Sequence, residues 1–568
     1  MSASSMITGS SIATLVIFVF SIAFVIHPLS IPIRLPHIGH KHIQLNLTTA
    51  PILAIAILWA AQCLGPSQIR DGIVGTDGVK PYNILLLFIS LAYMAITVDI
   101  TGVLQAAAFW VSNKGGSNGW KLYIYFYLML TALSVFLGND PVILSGTAFL
   151  VYYTKVSELN PISWLMSEFA AANTASMVLF VGNPTNVVIC EGFNLNNAAY
   201  TVYLILPFLA CNLACFLALA LQFRNPKYLP KRLHIEGDLN VRSVLLDPQS
   251  ALVGAALLGA CLTVIIVVSF FHVDVWKISL PFAIAKFIYD LAWDHYRFVH
   301  NIPMLGQTPQ QRSLDPNGRE TVENAAKNED IILQALKRRT TLPTTAEIPN
   351  RSRSTSFTPS TAASAPATST PYSPSVSTPL PAKSIYLAFA NRRARLAAHY
   401  PTVFTALPRL PFALVPFAFS QFILIEALAH QGWIDVFASW LRRATHEDPS
   451  SPYLTIWIIG ILGIILCNLS GTNIGATILL TKVVRAALLP PHTTRAAAIS
   501  LAVASNIGAV SFTFSASLAG LLWRAILKQK GIIIGQRTFA YWNTLPVVAM
   551  GLAGLSVVCA EMAVIQKS

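Results

Sequence analysis

Charged residues are scarce in this chain: only 11% of its 568 residues are Asp, Glu, Lys or Arg, whereas an average soluble protein has about 25%. Hydrophobic residues make up 54%, and the mean hydropathy is +0.59. A soluble fold of this composition would have too little polar surface to remain dispersed. The composition therefore excludes a soluble enzyme, a secreted disulfide-rich domain and a disordered chain. It predicts a polytopic membrane protein with one large polar insert.

Patterns that bind metals or form disulfides are also missing. None of the seven cysteines lies in a CxxC pair or at a zinc-like spacing from histidine, so we interpret them as small buried hydrophobic residues. His37, His40 and His42 are close in sequence but have no suitably spaced fourth ligand. We therefore predict no metal site and no cofactor. No Lys or Arg precedes the apolar run 11–26, which predicts a retained membrane helix rather than a cleaved signal.

Half of the net charge of +14 lies in one polar insert, residues 296–405. Between residues 296 and 400 the sequence has 13 basic and 6 acidic residues, and the middle, 343–381, is rich in Ser, Thr and Pro. Such a segment cannot bury enough apolar surface to offset its ordering entropy, so we predict that it is disordered. Cytoplasmic loops collect Lys and Arg, which predicts a cytoplasmic insert. The same rule explains the basic excess without a nucleic-acid partner.

The apolar part of the sequence repeats at an offset of 333 residues. Gly138-Asn139-Asp140-Pro141 corresponds to Gly471-Thr472-Asn473-Ile474, and segment 171–176 corresponds to segment 504–509. We predict the following organisation: a first repeat at 1–249 with a helical hairpin at 120–157, the start of a second repeat at 250–295, the insert at 296–405, and the rest of the second repeat at 406–568 with a hairpin at 452–487.

Polar residues interrupt both copies inside apolar blocks. Irregular backbone is tolerated at membrane depth only where protein or a water-filled cavity covers it. We therefore predict about five spanning helices, one re-entrant hairpin and one broken helix in each repeat. Because five is odd, the second repeat should be inverted relative to the first. The predicted fold is an all-α polytopic membrane protein with two inverted repeats, which is typical of secondary transporters with a site near the membrane midplane.

Four motifs at these interruptions resemble those of one superfamily. Segment 182–186 resembles a GNPxN signature, and 136–141 resembles a hairpin tip. Segments 467–473 and 515–523 resemble the hairpin and the second broken helix of arsenite permeases. The resemblance is to the ion transporter superfamily with a citrate-transporter-like domain. This superfamily includes arsenite and silicon efflux transporters, sodium/proton antiporters and divalent anion/sodium symporters.

Polar side chains at the tips and breaks are the predicted site. They lie where helix N-termini and amides would meet at the midplane, which suits an anion or a polar neutral solute. The predicted substrate-binding residues are Asn139, Asn173, Thr174, Asn183, Thr185, Asn186, Thr472, Asn473, Ser505, Asn506, Ser515 and Ser517. Asp140 and Glu168 are the predicted groups for proton or ion coupling, because a carboxylate at membrane depth is costly and by default functional. Asn139 and Asp140 could also simply cap a helix.

Among the other acidic residues, Asp99 and Glu191 are secondary candidates. Asp99 and Glu191 lie near predicted helix ends, where interfacial exposure is expected. Asp290 and Glu426 resemble charges at helix ends for the same reason. We therefore place neither pair in the predicted site.

The predicted function is secondary active transport of an inorganic anion or metalloid oxyacid, such as arsenite or silicate, by proton-coupled efflux. The alternative on the same scaffold is a citrate, dicarboxylate or Na⁺/H⁺ transporter. The dicarboxylate symporters have Ser-Asn-Thr at both hairpin tips, whereas this chain has Gly-Asn-Asp and Gly-Thr-Asn. An intramembrane enzyme would need a Ser/His pair, a GxGD aspartate or an HExxH motif, and no convincing one is present.

The predicted partners follow from this function. They are a small inorganic or organic anion, the coupling ion H⁺ or Na⁺, and the lipid bilayer, with homodimerisation left open. The predicted location is the plasma membrane or an internal membrane of a eukaryotic cell, because a long insert rich in Ser, Thr and Pro is typical of such proteins. A sensor that signals through the insert is a further alternative.

Overall fold

The structure is a computed structural model that describes residues 7–35, 39–76, 78–233, 239–271, 273–300, 302, 392–445 and 451–565, without the side chains of 33–43 and 269. The insert between 303 and 391 therefore lies outside the described residues, as do the side chains of the three clustered histidines. The described chain is almost entirely helical. This confirms the prediction of an all-α polytopic membrane protein.

Among the described residues up to position 300, the structure has thirteen helices. Their bounds are α1 Gly9–Ile26, α2 Thr49–Ala60, α3 Pro66–Val74, α4 Pro81–Ile100, α5 Val103–Gly115, α6 Gly119–Leu137, α7 Asn139–Val156, α8 Pro161–Ala175, α9 Pro184–Gly192, α10 Asn197–Gln222, α11 Val241–Val244, α12 Pro248–Val268 and α13 Trp276–Val299. Short 3₁₀ turns lie at Phe180–Gly182 and Ser269–Phe271.

Eight further helices lie between residues 401 and 565 of the described chain. Their bounds are α14 Pro401–Ala406, α15 Leu414–His430, α16 Trp433–Ala444, α17 Tyr453–Leu469, α18 Asn473–Ala486, α19 Pro491–Ala509, α20 Leu518–Gln529 and α21 Gln536–Ile565. Two 3₁₀ turns lie at Leu407–Arg409 and Phe514–Ala516.

One small sheet was not predicted from the sequence. Strand β1 (Leu29–Leu35) pairs antiparallel with β2 (Gly39–Leu45), and Leu29 lies opposite Leu45. The ribbon connects α1 to α2 and stands apart from the helices that contain the predicted site residues.

Seven helical segments of the described chain are long and apolar enough to cross a membrane. They are Gly9–Ile26, Pro81–Ile100, Gly119–Leu137, Asn197–Gln222, Pro248–Val268, Pro401–His430 and Gln536–Ile565. Helix α13 has the length to span, with 24 residues, but it contains several ionisable side chains. The second-repeat hairpin arm α17 has only 17 residues, which is short for a complete span.

The same order of elements occurs on both sides of the insert. Helices α4 to α10 are matched by α15 to α21: a long helix, a short one, a two-armed hairpin, and a helix that breaks at a 3₁₀ turn before a final long helix. We call residues 119–156 hairpin 1 and residues 453–486 hairpin 2. Residues 176–183 are the first break, and residues 510–517 are the second break. That the two halves have opposite orientations in the membrane stays a prediction.

A glycine shapes each hairpin tip. Gly138 has φ +84° and Gly471 has φ +83°, a backbone conformation that only glycine adopts without strain. These two residues are 333 positions apart, the offset found in the sequence. The left-handed turn ends the first arm of each hairpin and starts the second arm.

Alanine at either tip glycine is expected to destabilise the protein, at a cost of about 1–2 kcal/mol for the left-handed backbone. Gly471→Ala should cost more than Gly138→Ala, because its Cβ would lie 3.1 Å from Val25 Cγ1 whereas a Cβ on Gly138 meets open space. Thermal unfolding in detergent measures the effect. The matched control is Gly259→Ala in the middle of α12, which also meets open space and should be neutral or stabilising.

Aromatic packing fixes hairpin 1 against the first half of the first broken helix. Phe126 of α6 packs edge-to-face on Trp164 of α8 with ring centroids 5.9 Å apart. It also packs on Tyr153 of α7 at 5.6 Å, and Tyr153 stacks on Phe149. Such pairs add to the energy of apolar burial, so the arms of hairpin 1 and α8 form one packed unit.

Helices α4 and α13 begin side by side. Lys80, just before α4, is 2.7 Å from the Asp274 carboxylate that precedes α13. This hydrogen bond lowers the pKa of the Asp274 carboxyl below its usual value. The two helices then run parallel, because Tyr93 lies further along α4 and bonds to Asp290 further along α13.

The edges of the predicted insert are ordered as helices. Helix α13 continues to Val299, and residues 392–399 form a helix before α14. His295 and His399 are joined by a hydrogen bond of 2.8 Å. The two ends of the insert therefore meet at the end of α13.

Candidate functional site

A cavity lies where the two hairpin tips meet the two breaks. It has about 280 Å³ of empty space, part of which is open to solvent. Polar tip and cap residues line it together with apolar neighbours. The lining residues are Phe88, Asn139, Asp140, Asn183, Pro184, Asn473, Ile474, Ser517, Leu518 and Ala519. Residues from both halves of the chain, predicted from two separate motifs, thus share one volume.

Four helices begin at this cavity. The first residues of α7, α9, α18 and α20 all line it. A helix N-terminus has unpaired amide N–H groups and about half a positive charge. The cavity therefore attracts electron-rich oxygen atoms without needing a cationic side chain.

The local sequence explains why these helices begin here. Asn183 Oδ1 accepts a hydrogen bond from Thr185 N at 3.2 Å, and Ser517 Oγ accepts one from Gly520 N at 3.0 Å. Thr472 Oγ1 accepts one from Gly475 N at 3.4 Å. Asn, Ser and Thr are preferred at this position because their side chains satisfy otherwise unpaired amides.

Asn139 and Asp140 form the tip of hairpin 1. Asn139 Nδ2 donates to Asn173 Oδ1 at 3.2 Å, which connects the tip to the end of α8. Asp140 lies in the first turn of α7 and is partly buried at the cavity wall. It is the acidic side chain among the described residues that line the cavity.

Asn506, near the end of α19, connects this helix to the first break. Its Oδ1 accepts hydrogen bonds from Ser176 Oγ at 3.0 Å and from Asn183 Nδ2 at 3.4 Å. Its Nδ2 donates to Asn186 Oδ1 at 2.9 Å. Asn506 is fully buried, so a single amide holds together residues from both halves of the chain behind the cavity.

Asn468 organises the second break from hairpin 2. Its Oδ1 accepts hydrogen bonds from the backbone N–H groups of Phe512 at 3.0 Å and Thr513 at 2.9 Å. Its Nδ2 donates to Ser511 Oγ at 2.6 Å. These bonds satisfy backbone groups that no helix pairs, which is the requirement for unwound chain at membrane depth.

The predicted site residues fall into two groups. Asn139, Asp140, Asn183, Asn473 and Ser517 line the cavity. The other predicted residues do not line the cavity. Some of them connect the two halves of the chain: the Thr185 hydroxyl accepts a hydrogen bond from Ser505 Oγ at 3.4 Å. This second group also contains four fully buried residues: Asn173, Asn186, Ser505 and Asn506.

Three predicted residues have partners outside the cavity, and Thr174 also lies 3.3 Å from Met550 Sδ. Thr174 Oγ1 donates to Ala170 O at 2.7 Å in its own helix. Ser515 Oγ lies 3.4 Å from Thr513 Oγ1. Glu168 is fully buried, and both of its oxygens lie within 3.0 Å of Thr147 Oγ1. Glu168 thus faces the second arm of hairpin 1 and is not part of the cavity lining.

Two predictions about acidic residues were wrong. Asp99 was expected to be exposed at an interface, but only 1% of it is exposed, and Ser145 on α7 donates a hydrogen bond to it. Asp290 was expected at a helix end, but it lies inside α13, buried against Lys286. Asp290 pairs with Lys286 one turn earlier on the same helix and also accepts from Tyr93 on α4. The partners of Asp99, Ser145 and Arg409, come from distant parts of the chain.

Glu191 and Glu426 also have tertiary partners. Glu191 Oε2 accepts a hydrogen bond from Lys80 N at 2.8 Å. Glu426 Oε2 lies 2.8 Å from Lys482 Nζ, and both residues line a second cavity that Arg485 also borders. That cavity lies beside the far end of α18, away from the hairpin tips.

Sequence reasoning missed some of the site. Phe88 comes from the middle of α4, where nothing in the sequence separates it from other apolar residues of that helix. Asn468 is inside a motif that resembles the permease hairpin. Its hydrogen bonds to the second break could be recognised only in the folded structure, because the partners are more than 40 residues away in sequence. An Asn near the end of a strongly apolar helix was the available signal, because such a residue needs buried partners.

A profile of the family described as "Citrate transporter" matches residues 8–300. The match covers more than half of the chain and includes hairpin 1, the first break and α13. The chain belongs to the citrate transporter family. Membership and the apolar helices together establish a multi-pass integral membrane protein of a family that transports small anions.

Curated relatives of this family member come from bacteria. The arsenical pump membrane protein of Escherichia coli is 25% identical over 179 residues, which are 30% of this chain and 42% of the relative. The protein of the same name from Yersinia enterocolitica is 24% identical over 154 residues, 26% of this chain and 36% of the relative. The matched part thus spans about two fifths of these relatives.

Two solved structures are similar over most of their length. The YdaH transporter of Alcanivorax borkumensis is 10% identical, with a TM-score of 0.36, and 97% of this chain and 98% of that chain are covered. MtrF of Neisseria gonorrhoeae is 12% identical, with a TM-score of 0.39 and coverage of 98% and 95%.

Proposed function

We propose that this protein is a secondary active transporter that moves a metalloid oxyacid or small inorganic anion, of the arsenite or silicate kind, out of the compartment that faces the insert, in exchange for protons. The observation that favours this proposal is the cavity at the hairpin tips. Among its described lining residues are amides, a hydroxyl and one carboxylate, but no Lys, Arg or His.

This lining fits a compact polyhydroxylated acid. Arsenious and silicic acids are uncharged near neutral pH, so their binding needs hydrogen-bond partners rather than a countercharge. The amides of Asn139, Asn183 and Asn473 and the hydroxyl of Ser517 can donate to and accept from such a solute. The four helix N-termini orient its oxygen atoms and also tolerate its singly charged form.

Asp140 supplies the proposed coupling. An ionised carboxylate at the cavity wall repels an anion and favours a proton, whereas the protonated form is neutral and can donate a hydrogen bond. A proton on Asp140 and the substrate would then bind in turn at the same cavity. This alternation is the simplest basis for exchange.

The names of the bacterial relatives agree with this substrate class. They are called arsenical pump membrane proteins. The second candidate, citrate or dicarboxylate transport, is favoured by the description of the family profile. A di- or tricarboxylate would bring two or three negative charges into a cavity that already contains the Asp140 carboxylate, and no Lys, Arg or His among the described lining residues would balance them.

Proteoliposomes separate these candidates. With a pH gradient imposed, arsenite or silicic acid should accumulate on the acidic side, and a protonophore should stop the accumulation. Citrate tested in the same vesicles should give no gradient-driven flux. Robust citrate or Na⁺ flux with none for either oxyacid would contradict the proposal and support the second candidate.

Substitution of the tip amides should weaken substrate binding. Asn139→Ala and Asn473→Ala are each expected to raise the half-saturating arsenite concentration about tenfold, the effect of losing about 1.4 kcal/mol of binding. Initial rates of arsenite counterflow measure this value. Ser10→Ala, on the first turn of α1 and far from the cavity lining, is the control and should leave it unchanged.

A further inference from the structure

Asp99 is a carboxylate buried between α4, hairpin 1 and the segment that follows the insert. Its Oδ2 accepts a hydrogen bond from Ser145 Oγ on α7, and Arg409 Nη1 lies 3.6 Å from the same oxygen. Its Oδ1 is buried and has no hydrogen-bond partner among the described residues. One oxygen is thus anchored and the other is free.

A free carboxylate oxygen at this depth is costly. Burying a charge without full compensation destabilises a protein, and a close-packed apolar residue would avoid that cost. A proton on Oδ1 removes the charge and makes the group a neutral acid. The unpaired oxygen is therefore the position at which a proton would bind.

The charged groups on the helices around α4 leave Oδ1 of Asp99 unpaired. Helix α12 has no charged residue, and the charges on α13 have partners of their own. Arg297 pairs with Asp247, which precedes α12, and Lys277 pairs with Asp274, which precedes α13. Lys286 pairs with Asp290, which also accepts from Tyr93 OH at 2.9 Å. Asp294 accepts two bonds from Thr402. The charged residues of the other helices in contact with α4 are Arg70, Asp71, Lys114, Asp140, Lys155, Glu191 and Glu426.

Ser145 connects Asp99 to the candidate site. It lies on α7 six residues after the tip residue Asn139, or about 9 Å along the helix. Ionised Asp99 holds this arm of hairpin 1 to α4 through a charge-assisted hydrogen bond, which is stronger than a neutral one. Loss of that charge loosens the arm whose first turn contains Asp140.

Arg409 is the partly exposed partner of Asp99. Its side chain is 24% exposed, and it ends the 3₁₀ turn Leu407–Arg409 directly after α14. A partly exposed guanidinium can pair with Asp99 in the ionised form and turn away from it in the neutral form.

We propose that Asp99 is a proton-binding site that controls hairpin 1, separate from the cavity carboxylate Asp140. In the ionised state Asp99 binds Ser145 and Arg409 and fixes the arm. In the protonated state it releases Arg409, weakens the bond to Ser145 and allows the arm to move. This role deepens the proposed proton coupling and rests on it.

Infrared difference spectroscopy of the purified protein tests the site without any substrate. Lowering the pH should produce the band of a buried carboxylic acid. Asp99→Asn should remove that band, whereas Asp140→Asn should leave it in place. Arg409→Gln should make the band appear at higher pH, because the ionised form loses its cation, and the matched control Arg442→Gln on exposed α16 should not move it.

Arsenite flux in proteoliposomes then tests the control of the hairpin. Ser145→Ala should keep the infrared band but reduce pH-driven flux about tenfold, a change of about 1.4 kcal/mol, with counterflow less affected. A band that persists in Asp99→Asn would overturn the proton site even if arsenite is transported. Normal pH-driven flux in both Asp99→Asn and Ser145→Ala would overturn the control of hairpin 1. Loss of all oxyacid flux in the wild type, with the band intact, would refute the proposed substrate alone.

Discussion

Asp140→Asn is expected to abolish the dependence of arsenite flux on the pH gradient while arsenite counterflow continues. Asn has nearly the same size and keeps the hydrogen-bonding capacity of the tip, but it cannot bind or release a proton at neutral pH. The gradient-driven rate should therefore fall at least about tenfold, which corresponds to about 1.4 kcal/mol. Parallel assays of gradient-driven uptake and counterflow in the same vesicles measure the two properties.

The control is Asp435→Asn, an exposed carboxylate in the first turn of α16. It removes the same charge from another helix N-terminus, so it separates a local role of Asp140 from a general effect of charge. Gradient-driven flux at the wild-type rate in Asp140→Asn would remove Asp140 as the coupling group. Loss of counterflow as well would assign it to substrate binding instead.

Asn506→Ala is expected to slow both gradient-driven arsenite flux and arsenite counterflow, and to lower the melting temperature. The substitution removes hydrogen bonds to Ser176, Asn183 and Asn186, all in a buried region that links the two halves. Each buried polar group left without a partner costs about 1–3 kcal/mol. A counterflow rate reduced about tenfold is expected in addition to the stability loss, since the first break loses its connection to α19.

Asn113→Ala is a matched control for this amide. Asn113 also makes two hydrogen bonds over a long sequence separation, to Leu239 N and O, but it lies on α5 away from the cavity lining. It should lower the melting temperature and leave the half-saturating arsenite concentration and the counterflow rate unchanged. If the two variants have equal kinetics at equal stability, Asn506 is structural and not part of the transport machinery.

The tips and breaks were predictable because their signals are local. A Gly-Asn-Asp-Pro or Gly-Thr-Asn segment inside an apolar block leaves backbone groups unpaired, and that requirement can be recognised without a fold. The caps formed by Asn183 and Ser517 follow from the same local rule. The repeat at 333 residues predicted that these segments come together, and the cavity contains members from both copies.

The partners of buried charges were not predictable in this way. Asp99 was predicted to be exposed because it lies near a helix end, yet Ser145 and Arg409 approach it from distant parts of the sequence. Asp290 was predicted to be a charge at a helix end, yet α13 continues to Val299. Composition shows only that a charge is present in an apolar segment; its burial depends on which helices pack around it.

The central claim is that the substrate binds between the hairpin tips and the breaks. Anomalous scattering from crystals grown with arsenite or its antimony analogue locates the heavy atom directly. The account predicts one site within hydrogen-bonding distance, through its oxygen atoms, of Asn139 and Asn473, lost in the Asn139→Ala, Asn473→Ala double variant. A heavy atom bound instead in the second cavity beside Lys482 and Arg485, or retained between the tips in the double variant, would contradict it.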